Sequence, residues 1–304
     1  MMKKRKFLKT LLVGLIVGIM LSGIQKASAA TDNDDVIDEK RGMPVVVFGE
    51  TLSEAQKDEV RKLLGVKEAN KVEEVIVTAQ DLHRLIGGNP NSGMYSSAKI
   101  TLKDKGHGLV VTRVTPDYIT EVTEEMYANA LLTAGIENAD VEVASPLKVT
   151  GHSALVGLYK AYESRGGELD QGRMEVANEE LDLATDLAEK EGLDDKKVSE
   201  LLTEIKKAIA EQNPVTREDV EQIVEEQLNK MNIQLSPEDR QLLIDLFEKM
   251  RSLNIDFGNV KQQLEDLTND LRDKMEKVVG DEGFWDSVSN FFKKLIDSIA
   301  NLFK

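Results

Sequence analysis

Two different hydrophobic periodicities divide the chain. Between Met43 and Arg165, short apolar runs such as "PVVVFG" alternate with segments that repeat apolar residues at helical spacing. A bounded apolar run indicates a buried strand, and apolar positions three and four residues apart indicate an amphipathic helix. From Gly172 onward almost every segment has the helical spacing. The pattern predicts an α+β protein, with an N-terminal α/β sandwich around a small mixed sheet and a C-terminal helical bundle.

The first half contains the predicted strands and helix start signals. The strand segments are "PVVVFG", "EEVIVTA", "SSAKITLK", "GLVVTRV" and "DVEVASP". The third and fourth are separated by "DKGHG", which predicts a hairpin between them. Ser53 and Gln56 have the spacing of a capping box, Gly65 marks the end of that helix, and Thr123 begins a later one.

The second half repeats one helix design. The helices "TREDVEQIVEEQLNKMNI" and "SPEDRQLLIDLFEKMRSLNI" begin at Thr216 and Ser236, carry Asp at the third position, and end in Asn-Ile. This repetition predicts a helical hairpin within a bundle of four or five helices. The helix that follows has a seam with a defect at Lys274. Its apolar positions are Phe257, Val260, Leu264, Leu267, Leu271 and Val278.

The N-terminus has the pattern of a secretory signal peptide. A basic start, "MMKKRK", precedes an apolar run and the small-residue motif Ala27-Ser28-Ala29. We predict export with cleavage after Ala29. The alternative is an uncleaved membrane anchor. The predicted organisation is a signal peptide 1–29, a flexible lead-in 30–42, an α/β domain 43–165, a helical bundle 166–280 and an amphipathic C-terminal helix 281–304.

The last segment concentrates aromatic residues, since four of the chain's eight Phe and its single Trp lie there. Its apolar stripe predicts contact with an envelope protein or a membrane surface. The predicted contact residues are Phe284, Trp285, Val288, Phe291, Phe292, Leu295, Ile299 and Phe303. The alternative is that this helix folds back and covers the bundle.

Composition narrows the function classes. The chain has no Cys, so an exported form must be stabilised by its core and not by disulfides. Its formal net charge is −16, and removal of residues 1–29, which hold six Lys or Arg and no acid, changes it to −22. Because nucleic-acid binding depends on Lys and Arg neutralising phosphates, this charge excludes nucleic acid as the expected partner.

Ser153 is the first candidate for chemistry, because it follows a strand-like run in the motif Gly-His-Ser. A nucleophile elbow needs Gly two positions before and two after the Ser; Gly151 is present, but Leu155 stands at the second position. We expect instead that Thr150 or Ser153 caps the following helix. Leu155, Leu158, Tyr159 and Tyr162 would then face the sheet.

The remaining motifs are weak. "LIGGNPNSGMYSS" is rich in Gly but precedes a strand, so we interpret it as a turn-rich surface loop and not as a phosphate loop. His83, His107 and His152 share no ligand spacing for a metal. With 55 acidic residues, chance carboxylate pairs are common. We predict no catalytic residue, no metal site and no small-molecule cofactor.

Several stretches together resemble the YpuA-like proteins of Bacillus-type bacteria, a family catalogued as domain of unknown function 1002. They include "SEAQKDEVRKLLGV", "GMYSSAKITL", "VTPDYITEVTEEMYANALLTAGIENADVEVASPLKVTGHSAL" and "LNIDFGNVKQQLEDL". The resemblance implies an extracytoplasmic Gram-positive protein and transfers no site residue. The expected function is a non-enzymatic interaction or scaffolding module of the envelope. The alternatives are a cell-wall hydrolase using Asp or Glu of the N-terminal domain, and a membrane-surface binder.

Overall fold

The computed structural model describes residues 42–279, with side chains described as far as Asp270. The strands are β1 (Val45–Gly49), β2 (Glu73–Val77), β3 (Ser97–Leu102), β4 (Leu109–Arg113) and β5 (Ala139–Ala144). The helices are α1 (Glu54–Leu63), α2 (Ala79–Ile86), α3 (Glu124–Ala134), α4 (Ser153–Ser164), α5 (Gln171–Lys190), α6 (Asp195–Gln212), α7 (Arg217–Lys230), α8 (Pro237–Ser252) and α9 (Lys261–Val279). The predicted signal peptide, lead-in and C-terminal contact helix lie outside the described residues.

The five strands form one mixed sheet in the order β2-β1-β3-β5-β4. β1 and β2 are parallel, as are β4 and β5, while β3 runs antiparallel to both β1 and β5. Every residue of β1 is buried, because helices cover both faces of this strand. The predicted α+β architecture, with a mixed sheet followed by helices α5–α9, is confirmed.

The predicted hairpin between β3 and β4 is wrong. Both strands pair with β5, which lies between them. The connecting turn wraps around the start of β5, where the Asn138 side chain accepts hydrogen bonds from the N–H groups of Gly106 and Gly108 at 2.9 and 3.1 Å. The glycines do mark a turn, but β5, which is later in the sequence, lies between β3 and β4 in the sheet.

The two faces of the sheet pack against different helices. On one face Val46 and Phe48 of β1 pack with Val60 and Leu64 of the α1 region in a small cluster. The opposite face belongs to a larger core that continues through α3 and α4 into α5–α8. Leu155, Leu158 and Tyr159 are fully buried in that core and Tyr162 is half-buried, as predicted.

Helix termini follow the sequence signals closely. Ser53 and Gln56 form the predicted capping box, and the Thr123 side chain caps α3. Thr216 and Ser236 cap α7 and α8. Both of these helices end at an Asn of positive φ, and the following Ile donates its N–H to a carbonyl five residues back. These repeated Schellman motifs confirm the paired design of α7 and α8.

The seam before and within α9 is buried where its side chains are described. Phe257, Val260 and Leu264 are in the core, and Leu267 is half-buried. Phe257 precedes a short 3₁₀ turn, Gly258–Val260, so the predicted helix begins later than its first apolar residue. Among residues 42–279, no helix combines the length and apolar character required to cross a membrane.

Candidate functional site

A cleft of about 490 Å³ lies where the glycine-rich loop meets the start of α4. α2 contributes Leu82 and Ile86 to its wall, and α5 contributes Asn178 and Asp182. Small-molecule sites commonly have this size and combine apolar walls with a few polar groups. The two motifs that the sequence analysis treated separately, "GGNPNSGMYSS" and "KVTGHS", therefore form one concave surface.

The glycine-rich loop is held in place at both ends. Gly87 ends α2 in a left-handed conformation, with φ of 67°. At the other end the Met94 N–H donates to the Thr51 hydroxyl at 2.8 Å, and the Thr51 N–H donates back to the Met94 carbonyl at 3.0 Å. The loop precedes β3, as predicted, so no helix begins at its end. This loop forms a fixed wall of the cleft.

Gly151 sets the approach of the chain to α4. Its φ is 113°, and an added Cβ would lie 2.7 Å from both the Ile119 side chain and the Tyr127 hydroxyl. The buried Tyr127 hydroxyl donates to the Gly151 carbonyl at 2.7 Å. Burial raises the pKa of Tyr127, so this hydroxyl keeps its proton and its donor role. A side chain at residue 151 would displace the N-terminus of α4.

Neither Ser153 nor Thr150 caps α4, contrary to the prediction. His152 occupies the N-cap position and provides no side-chain cap. The Ser153 hydroxyl instead accepts the Ser96 N–H at 3.2 Å, across the cleft from its own helix. The Ser96 N–H takes the place of a capping partner within α4, although Ser96 is 57 residues away in sequence. α4 thus begins without a side-chain cap.

His152 is directed away from Ser153. Its Nδ1 is 3.1 Å from the Thr150 hydroxyl, and its Nε2 is 3.4 Å from both the Thr185 hydroxyl and an Asp182 oxygen. A serine nucleophile needs a base within hydrogen-bond reach. No Ser153–His152 hydrogen bond exists in the described part of the chain, so these two residues do not form a nucleophile–base pair.

The other two histidines have separate local partners. His83 Nδ1 contacts the Gly88 carbonyl at 3.1 Å, and His107 Nε2 contacts Asp140 at 2.8 Å. In residues 42–279, no group of three or more metal-ligating side chains is arranged around a common point. These contacts are those of a helix terminus and a turn.

Ser96 is the cleft residue that the sequence analysis did not identify. It is only 1% exposed, yet its hydroxyl has no hydrogen-bond partner within the described residues. Buried hydroxyls nearly always have a partner, and Ser96 also lines the cleft, so its hydroxyl is a candidate to receive a ligand. The available signal was the Ser-Ser pair between a glycine-rich loop and an apolar strand, but sequence alone did not place it beside α4.

Charged groups of both signs line the mouth of the cleft. Lys148 is exposed and lines it just before α4. Asp182 of α5 also lines it and accepts a hydrogen bond from Asn178 at 3.0 Å. Burial raises the pKa of Asp182, although the neighbouring His152 acts in the opposite direction. Asp182 is the single carboxylate among the described cleft-lining residues.

A second group of polar residues is completely enclosed by α3, α5 and α6. The Lys206 ammonium is 2.5 Å from a Glu180 oxygen and also donates to the Asn129 carbonyl at 2.9 Å. The other Glu180 oxygen accepts from the Thr133 hydroxyl at 2.6 Å, and Thr203 bonds to the Asn129 side chain. We call these five residues the buried network. Each of their polar side-chain atoms has a partner, so the network joins helices and leaves no group open.

A smaller cleft of about 330 Å³ separates β4 from α9. Its acidic lining comes from Glu124 and Glu125 of α3 and from Asp266 and Asp270 of α9. Glu124 accepts the Arg113 N–H at 2.8 Å, which directs this carboxylate toward the protein backbone. This cleft is lined by several carboxylates, and the hydrolase alternative needs at least two at one site.

Comparison with known proteins places the chain in a family. A family model described as "Protein of unknown function (DUF1002)" matches residues 48–267. The chain is similar to "Uncharacterized protein YpuA" of Bacillus subtilis (strain 168), with 32% identity over 308 aligned residues that cover 98% of this chain and all of that protein. No solved structure matches the chain. The extent of both matches shows that this protein belongs to the DUF1002 family.

Proposed function

We propose that this protein is an exported envelope protein of a Gram-positive bacterium that acts by binding and not by catalysis. The basic and apolar start followed by Ala27-Ser28-Ala29 supports export. Similarity to a Bacillus protein over the whole chain supports a Gram-positive origin. The cleft at the start of α4 is the binding surface.

One observation carries the choice of binding over catalysis. The cleft presents open donor groups, but Ser153 and His152 have their hydrogen bonds with other partners, Ser96 and Thr150. Glycoside cleavage by paired carboxylates needs two acids flanking one site, whereas Asp182 is alone among the described residues that line the cleft. The groups present can recognise a ligand and lack the partners required to activate a nucleophile.

The test measures turnover and capture with the same purified protein. We expect incubation with peptidoglycan to release no fragments, and immobilised protein to retain an envelope component. Loss of that retention in the cleft variant Ser153→Ala, with retention kept by the exposed control Asp117→Asn, would support the proposal.

The opposite result is equally specific. Release of fragments that stops in Asp182→Asn, or in Glu124→Gln for the smaller cleft, would overturn binding as the function and support the hydrolase. Asp117→Asn again serves as the control, because Asp117 is exposed and lines neither cleft.

A second candidate function, binding to a membrane surface, is favoured by the sequence of residues 281–304. Aromatic and aliphatic side chains at helical spacing would enter the interface, with Trp285 among them. Co-sedimentation with liposomes compares the full-length chain with a chain ending at Gly280. Equal co-sedimentation of the two would exclude the terminal segment as the membrane contact.

A further inference from the structure

The inner end of the cleft collects hydrogen-bond donors that lack acceptors. The Ser96 hydroxyl is buried and has no partner among the described residues. The Ser153 hydroxyl accepts the Ser96 N–H at 3.2 Å, and its own proton is donated to no described group. Both hydroxyls are therefore able to donate to an acceptor placed at this end of the cleft.

The first turn of α4 adds backbone donors at the same place. Its 12 residues make it long enough to carry a helix dipole. The N–H groups of Ala154 and Leu155 bond to the Gly151 and His152 carbonyls. The N–H groups of His152 and Ser153 have no backbone acceptor among the described residues. A helix N-terminus of this kind favours negative charge, and the exposed Lys148 lines the same cleft.

We propose that this end of the cleft binds a carboxylate whose apolar substituent lies against Leu82 and Ile86; this inference rests on the proposed binding function. Two carboxylate oxygens offer about four acceptor sites, which match two hydroxyls and two backbone N–H groups. A charge-assisted bond from each donor supplies the affinity. Asp182 at the mouth repels a dianion more strongly than a monoanion, so a carboxylate is favoured over phosphate.

The ligand's carboxylate has two sources, a small carboxylic acid or the C-terminus of a peptide. The probes are isovalerate, N-acetyl-Ala-Leu with a free carboxylate, the same dipeptide as its C-terminal amide, and inorganic phosphate. Isothermal titration calorimetry of the purified full-length protein measures each affinity. We expect the free dipeptide to bind and its amide to bind at least tenfold more weakly, because the amide lacks the negative charge.

The variants use a matched pair of neighbouring serines. Ser96 and Ser97 are each 1% exposed, and each has a hydroxyl without a partner in the described residues. Ser97 is the first residue of β3 and does not line the cleft, whereas Ser96, just before the strand, does. We expect Ser96→Ala to weaken binding of the free dipeptide at least tenfold. Ser97→Ala should leave its affinity unchanged. Lys148 is exposed, so Lys148→Gln should weaken binding of the free dipeptide without any effect on folding.

Each outcome decides the inference. Binding of the free dipeptide but not isovalerate supports a peptide C-terminus, and binding of both supports small carboxylic acids as well. Equal affinity for acid and amide, tighter binding of phosphate, equal losses in Ser96→Ala and Ser97→Ala, or no binding of any probe would overturn it. The calorimetry tests only the carboxylate site, whereas release of peptidoglycan fragments tests binding against catalysis. Failure of this inference is therefore distinguishable from failure of the proposed function.

Discussion

The buried network and the cleft use similar residues in opposite ways. In the network, Lys206 and Glu180 are enclosed with Asn129 and the hydroxyls of two threonines, and each polar side-chain atom has a partner. In the cleft, the Ser96 hydroxyl is buried just as deeply but has no partner in the described part of the protein. A satisfied group contributes to the fold, whereas an unpartnered group that also lines a cleft, as Ser96 does, can receive a ligand. The comparison separates polar residues that hold helices together from those that can bind.

Charge balance also differs between the two regions. Burial lowers the pKa of Lys206, whereas the charge of the Glu180 carboxylate and its hydrogen bond to Lys206 act to raise it. In the cleft, Lys148 and Asp182 are both exposed to solvent at the mouth. The network is therefore sensitive to the loss of either charge, and the cleft can change its charges without loss of the fold.

Substitution of Lys206 is the strongest way to break the network. We expect Lys206→Met to lower the free energy of unfolding by about 3–5 kcal/mol, because Glu180 becomes a buried charge without its partner. Urea denaturation followed by circular dichroism measures the change. The double variant Lys206→Met, Glu180→Leu removes both charges and should recover most of the loss. A single-variant change below about 1 kcal/mol would show that the pair is not isolated from water.

An intermediate effect is expected at Asp81, which fixes the α2 wall of the cleft to α4. Asp81 forms a capping box with Thr78, and the Lys160 ammonium is 2.5 Å from its carboxylate. Burial alone would raise the pKa of Asp81, but Lys160 and Thr78 together outweigh it, so the pKa lies below 3.8. We expect Asp81→Asn to lower the free energy of unfolding by about 1–2 kcal/mol at pH 7.

The pH dependence gives the sign of this effect. Because the folded-state pKa of Asp81 is lowered, its stabilisation is present above about pH 4 and is lost as the pH falls through the folded value. Denaturation curves of wild type and Asp81→Asn should therefore differ at pH 7 and converge in strong acid. A difference that stays constant down to pH 2 would contradict an ionised Asp81 in the fold.

The smallest effect is expected where the cleft is open. Ser96→Ala removes a hydroxyl without a described partner, so we expect the free energy of unfolding to stay within about 0.5 kcal/mol of wild type. Thr133→Val is the matched change in the network and should cost about 1–3 kcal/mol, because it takes a donor from Glu180. Thermal unfolding compares the two. Equal losses would mean that the Ser96 hydroxyl has a structural role after all.

The sequence predicted features that depend on neighbouring residues. The five strands, the Ser53–Gln56 capping box and the paired caps of α7 and α8 all arise within a few positions of the chain. Local hydrogen bonds and hydrophobic spacing determine them, so a single sequence contains the necessary signal.

The features that sequence did not predict depend on distant partners. The hairpin prediction for β3 and β4 was wrong because β5 lies between them, and the cap prediction for α4 was wrong because Ser153 bonds to Ser96. The cleft has the same origin, since its glycine-rich loop and Gly-His-Ser motif look weak when each is considered alone. Only the order of the strands brings them together, and no local pattern specifies that order.

The position of β5 also determines how the sheet can be assembled. β4 pairs with β5 alone within the described sheet, so after synthesis of Arg113 its backbone has no strand partner until the chain has passed α3 and reached Ala139. A β3–β4 hairpin could form as soon as both strands are synthesised. Pairing of β4 with β5 must first close the long loop that contains α3, and the entropy cost of closing this loop slows folding. Folding of the sheet must therefore wait for the chain well beyond β4, and a nascent chain stopped before Ala139 would carry an unpaired strand prone to association.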